Sequence, residues 1–322
     1  MRRSFRAALA LLVLSALGMP ALAQVGDAPV RVVLPFAPGG AGDALARIVA
    51  EAIRGATGRT AIAENRAGAS GRIGVQYVRG SAPDGSVLLI TPIAPMAIYP
   101  HTYDRLDYDP VVDFQPVSQV ATFEFGLATG TATTATTMMA LVDWVRANPA
   151  RASYAIPGEG TLPHFCGVLF ARTANLALEA IAYKGNVPAI ADLMGGHVPM
   201  LFTSTPDLVV AHRAGRIRVL ATSGEGRSPM LPDVPTFREA GYPITGVGWY
   251  AVYAPARTPP DTVERLSRII ADAVRAPAVR ERFETLGLIP TGTTGPELAM
   301  IQKEASDLWG PVVRASRFKA EQ

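Results

Sequence analysis

A strand that runs into a glycine turn and straight on into a helix occurs once in each half of this chain, with the loops at residues 34–44 and 155–166. That unit limits the chain to folds in which helices pack on sheets. In the first copy, "VRVVLPFAPGGAGDALARIVAEAIRG", the helix shows its apolar residues Leu45, Ile48, Val49, Ala52 and Ile53 on one face, the spacing of an amphipathic helix. The second copy reads "ASYAIPGEGTLPHFCGVLFARTAN". Between and after the copies, "TAIAEN", "SVLLIT", "LEAIAY", "VPMLFTST" and "IRVLATS" read as strands, while "GRIGVQYVRGS" and "VPAIADLMGG" read as helices. The alternation predicts an α/β fold with mainly parallel sheets.

The alternation breaks at "LDYDPVVDFQPVSQVATFEFGLATG" and again at "GVGWYAVYAPA", both strand-like without a following glycine loop. Read as two crossings between domains, they predict a discontinuous domain I (24–122 and 249–322) around a domain II (123–248). Two charged amphipathic helices, "DTVERLSRIIADAV" and "PELAMIQKEASDLWGPVVRAS", close the chain.

The first residues, "MRRSFRAALALLVLSALGMPALAQ", have the arginines, apolar run and Ala-Leu-Ala ending of a secretory signal peptide cleaved after about Ala23. Arg2, Arg3 and Arg6 account for the whole formal net charge of +3, so residues 24–322 are neutral. The basic balance therefore argues for no nucleic-acid or membrane-surface partner. The single cysteine, Cys166, makes no intrachain disulfide. An exported chain without disulfides needs a large core, and about 300 residues provide one. The expected compartment is the bacterial periplasm.

In an open α/β sheet, ligands sit where strand ends lead into helix N-termini, whose free N–H groups and dipole favour an anion. Gly39 and Gly40 in the first loop, and Gly158 and Gly160 in the second, allow close approach of backbone to ligand. Asp43 suits a helix N-cap or a loop brace better than a ligand contact. Glu159 reads as a solvated loop acid, and Cys166 as a small core residue. His164 has two readings, ligand donor or satisfied helix-start residue, and Lys184 is poised between cleft cation and surface lysine. Either Trp249 or Tyr250, on the return crossing, is a candidate pocket wall. The sequence lacks a G-x-S-x-G elbow, an H-E-x-x-H pair and a P-loop. The four histidines (His101, His164, His197, His212) show no metal-ligand spacing. Binding without catalysis, cofactor or metal is expected; an exported enzyme on the same scaffold is the alternative.

The segments "PVRVVLPFAPGGAGDALAR", "TAIAENRAGASGRIGVQYVRGSAPDGSVLL", "LDYDPVVDFQPVS", "IAYKGNVPAIADLMGGHV" and "RSPMLPDVPTFREAGYP", in this order and spacing, resemble the Bug family. These are the TctC-like substrate-binding proteins of tripartite tricarboxylate transporters. The resemblance implies a type II periplasmic-binding-protein fold, monomeric, with a small carboxylate held between two α/β domains for integral membrane subunits. A receptor that presents its ligand to a sensor kinase is a variant of that reading. The family's ligand loops map onto Pro35–Asp43 and Ala155–His164. The implied contacts are Phe36, Ala37, Gly39, Gly40 and Asp43 in the first loop, and Gly158, Gly160, Thr161 and His164 in the second. Thr203 and Ser204 stand at a strand end where relatives commonly carry Asp. This chain also has Ala41-Gly42 where relatives commonly have Ser-Thr, and Ile156-Pro157 where they often have Ser-Ser. Fewer hydroxyls imply a less polar pocket, suited to an apolar or aromatic carboxylate.

Overall fold

The computed structural model describes residues 29–316 together with 318 and 319. The signal peptide expected at residues 1–23 lies outside the described residues. Strand β1 (Val30–Leu34) is central to the first half and pairs in parallel with β2 (Ala61–Asn65) and β3 (Val87–Pro92). Helix α1 (Ala41–Thr57) links β1 to β2, and α2 (Arg72–Arg79) links β2 to β3. Val32, Val33, Leu88, Leu89 and Ile90 are fully buried, as a strand covered on both faces requires. Leu45, Ile48, Val49 and Ile53 of α1 are buried as their spacing predicts, each contributing roughly 2 kcal/mol. Gly58 ends the helix in a left-handed conformation (φ 69°), its N–H bonded to the Arg54 carbonyl.

After β3 the chain winds through a π-helical turn (Ala94–Ile98) and the short α3 (Tyr99–Thr102) into a long strand, β4 (Phe114–Thr129). The second half then runs α4 (Met138–Ala147), β5 (Ser153–Ile156), α5 (Leu162–Ala174), β6 (Glu179–Ala182), α6 (Asn186–Gly195), β7 (Met200–Ser204), α7 (Thr205–Arg213) and β8 (Arg218–Thr222). Strand β9 (Val247–Pro255) returns to the first sheet. It is followed by α8 (Pro260–Arg275), α9 (Pro277–Thr285), β10 (Ile289–Pro290) and α10 (Gly295–Ser316).

The strand order is β2-β1-β3-β9-β4-β7-β5-β6, with β8 and β10 also on β4. Strand β4 belongs to both halves. From Phe114 to Glu124 it pairs with β9, and from Phe125 onward with β7 and β8. The sheet is more mixed than the predicted, mainly parallel one. The pairs β1–β2, β1–β3, β5–β6 and β5–β7 are parallel, but every pair made by β4 or β9 is antiparallel. The two crossing strands are the reason, because they run against the parallel strands on either side. Local hydrophobic pattern carries no strand direction.

Candidate functional site

The carboxyl ends of strands from both halves open onto one cavity, with about 640 Å³ of space unfilled by protein atoms, its mouth included. Leu34 ends β1 and Phe36 follows it, Pro92 ends β3 and Ile93 follows it, and Pro157 follows β5. Gly185 and Asn186 follow β6, and Thr203 and Ser204 end β7. The crossing strands supply Phe123, Phe125 and Tyr250. This is the position where α/β folds place ligands.

Among the contacts expected from sequence, Phe36, Ala37, Gly40, Asp43, Thr161, Thr203 and Ser204 line this cavity. Gly39, Gly158, Gly160 and His164 are not part of its wall. The glycines serve another close approach. A Cβ on Gly158 would lie 3.2 Å from Ser70 Oγ, and one on Gly160 3.0 Å from Thr102 Oγ1. Gly39 faces Val187 in the same way, at 3.4 Å. What their missing side chains admit is the opposite half of the molecule. His164 is buried and turned away from the cavity. Its Nδ1 accepts the Gly160 N–H at 3.2 Å, and its ring stands edge-on to Phe318 with centroids 4.2 Å apart. Burial lowers its pKa to about 4, so the ring is neutral, with Nδ1 occupied as an acceptor and the proton on Nε2.

Asp43 is not the N-cap of α1; Gly40 holds that position. Its Oδ2 accepts the Gly39 N–H and Arg47 Nε and Nη2, each at 3.2 Å, which braces the loop from the helix's first turn. Its Oδ1 is buried with no partner among the described residues. Lys184 and Glu159 are not in the wall either; Lys184 is exposed. Of the aromatic pair on β9, Tyr250 faces the cavity while Trp249 is buried away from it. Cys166 is fully buried, its thiol pKa raised to about 12 by desolvation, which makes it a core residue.

Two residues absent from the sequence-based set organise the polar side of the site. Asp207, in the first turn of α7, reaches across to the start of α1, where its Oδ1 accepts the Ala41 N–H at 2.7 Å. Its Oδ2 accepts from Asn186 Nδ2 and Ser204 Oγ. Asn186, the first residue of α6, accepts in turn from Thr203 Oγ1 at 2.6 Å. Desolvation pushes the Asp207 pKa above the usual carboxylate value, and the bonds from Ser204, Ala41 and Asn186 push back. A signal for Asp207 was present: Ser204-Thr205-Pro206-Asp207 matches a helix-start pattern, with proline in the first turn. No group of three or more His, Cys, Asp or Glu residues placed to hold a metal occurs among the described residues.

Strand ends and loops from two sheets, closed around one cavity and joined by crossing strands, define a solute-binding protein of the periplasmic type. The family model described as the tripartite tricarboxylate transporter family receptor, TctC, matches residues 45–317, and the chain belongs to that family. BugT of Bordetella pertussis is 33% identical over 293 residues, 90% of each chain. A Rhodopseudomonas palustris protein solved with adipate superposes with a TM-score of 0.87 at 28% identity, over 90% of this chain and 98% of that one. MatC of the same organism, solved with malate, gives 0.83 at 27% identity over 88% and 98%. The family is one of receptors, not of enzymes. No helix among the described residues is long and apolar enough to cross a membrane.

Proposed function

We propose that this chain is an exported, non-catalytic receptor that captures a small carboxylate with an apolar body and hands it to the integral membrane subunits of a tripartite transporter. The observation that carries this reading is the cavity itself, enclosed by loops of both sheets and walled by Phe36, Ile93, Phe123, Phe125, Leu162 and Tyr250. Such a wall favours an acid that buries hydrocarbon. The adipate and malate held by two relatives support the carboxylate class. The working form is a monomer of residues 24–322, released by cleavage after about Ala23. Its lobes are 24–122 with 249–322, and 123–248. The change of partner along β4 at Glu124–Phe125 supports a hinge there, and closure about that hinge traps the ligand.

The test is calorimetry on residues 24–322, unfolded and refolded to strip carried-over ligand, against a panel of aromatic, aliphatic and hydroxy acids. Saturable one-to-one binding of an apolar acid, recovered unchanged, is the expected result. Conversion of the bound acid, or tighter binding of citrate or malate than of every apolar acid, overturns it.

A further inference from the structure

The first loop was expected to offer the N-terminus of α1 to a ligand anion, and a carboxylate is there, but it belongs to the chain. Asp207 Oδ1 accepts the Ala41 N–H at 2.7 Å. A Cβ on Gly40 would lie 2.9 Å from that same oxygen, so the loop's open backbone is in contact with Asp207. All three groups bonded to the Asp207 carboxyl are donors: Ala41 N, Asn186 Nδ2 and Ser204 Oγ. An acceptor-only pattern of this kind is that of an ionised carboxylate. It satisfies the partial positive charge of the helix start.

The surrounding charge points the same way. The residues lining the cavity include no lysine, arginine or histidine. They do include Asp43, whose Oδ1 has no partner among the described residues. A ligand carboxylate brought to this end would meet Asp43 in the wall, with Asp207 behind Gly40, Asn186 and Ser204. The cation bonded to Asp43 is Arg47, on its Oδ2 and with a side chain 59% exposed to water. Enclosed like charges repel far more strongly than they do in water.

We propose that Asp207 is a specificity residue: it takes the place of one ligand carboxylate at α1 and restricts this receptor to acids bearing a single carboxylate. The proposal rests on the carboxylate-receptor reading above and narrows it. The ligand's carboxylate is left the other side of the cavity, at Thr161–Pro163 where α5 begins, and its apolar body lies against Phe36, Phe123, Phe125 and Tyr250. The two relatives solved with adipate and malate hold diacids; this chain is placed in a different ligand class.

The test uses pairs matched in skeleton, hexanoate against adipate and benzoate against terephthalate, titrated by calorimetry into the purified, ligand-stripped receptor. The wild-type protein is expected to bind the monoacid at least tenfold more tightly than its diacid in at least one pair. Asp207→Ala vacates the helix start, and Asp207→Asn keeps the volume while removing the charge. Each is expected to shift the monoacid-to-diacid ratio by threefold or more toward the diacid. A wild-type ratio under tenfold in both pairs, or a smaller shift in folded variants, overturns the assignment of Asp207 while leaving a carboxylate receptor standing. Absence of binding by all four acids and by the wider panel overturns the receptor reading itself, and this proposal with it. Where neither variant folds, the wild-type ratio decides alone.

Discussion

Ser70 and Glu159 stand on loops that follow strands of different sheets, and they are bonded to each other: Ser70 Oγ accepts the Glu159 backbone N–H at 3.1 Å. Ser70 is held for this contact. Its own carbonyl accepts the Tyr99 hydroxyl at 2.6 Å, and its backbone adopts φ 54°, a left-handed conformation rare for serine. In the hinge closure proposed above, this bond is made in the closed form and lost when the loops part. Ser70→Ala removes the acceptor and is expected to weaken closure by about 1 kcal/mol, so the Kd of the cognate ligand rises about fivefold. Calorimetry on the variant checks this. An unchanged Kd would mean that the two loops do not meet in the ligand-bound form.

Gly40 gives a sharper test of the first loop. Its backbone is extended (φ −90°, ψ 179°), which a β-branched residue adopts freely. The one atom that a Cβ would press closely is Asp207 Oδ1, at 2.9 Å. Gly40→Val is therefore expected to cost at least tenfold in ligand affinity, and to lower stability only by the loss of the Asp207–Ala41 bond, about 1–3 kcal/mol. Paired titration and melting curves separate the two effects. Wild-type affinity in a folded Gly40→Val protein would remove the first loop from the site.

Much of this arrangement was legible in the sequence, and the omissions have physical causes. The strand, turn and helix of residues 30–57 follow from the spacing of Leu45, Ile48, Val49 and Ile53, with Gly58 as the stop. Helix α7 did not, because "LVV" in "TPDLVVAHR" is short, holds two β-branched valines and continues a strand-like run. Asp207 was lost with it. Glycine marks a close approach but not the approaching partner. Gly158 and Gly160 thus read as ligand contacts, although Ser70 and Thr102 are what they admit. Ser70 and Asn186 are ordinary polar residues whose importance comes only from what the fold sets opposite them.

Packing within the second half yields a stability prediction independent of ligand. Gly167, on α5, lies against the fully buried Tyr154, and a Cβ there would fall 2.1 Å from the ring's Cε2. That ring is fixed edge-on to Phe202 at 5.6 Å between centroids, so it has nowhere to retreat. Gly167→Ala is expected to destabilise the protein by about 1–3 kcal/mol through overpacking. Pairing it with Tyr154→Val should recover part of the loss relative to Tyr154→Val alone. Denaturant melts of the three variants measure the coupling.

His164 gives the fold a predictable response to acid. Burial holds its pKa at about 4 in the folded protein, below the ordinary value of 6.5. Its Nδ1 is already committed to the Gly160 N–H, and its ring to Phe165 and Phe318. The unfolded chain therefore binds the extra proton first. Stability from this residue is complete above pH 6.5 and is lost as the pH falls through 6.5 toward 4. Between pH 7 and pH 5 the loss is expected to be about 2 kcal/mol. Burial depresses His101 and His212 in the same direction, while the raised carboxyls of Glu124 and Asp207 act in the opposite sense. The difference between wild type and His164→Gln isolates the His164 contribution. Unfolding free energies at the two pH values should fall steeply in the wild type and less in the variant. Phe318→Ala, which opens one side of the ring to water, should raise the His164 pKa toward 6.5 and flatten the profile without removing the imidazole. Equal slopes in all three proteins would mean that the buried imidazole does not set the acid response.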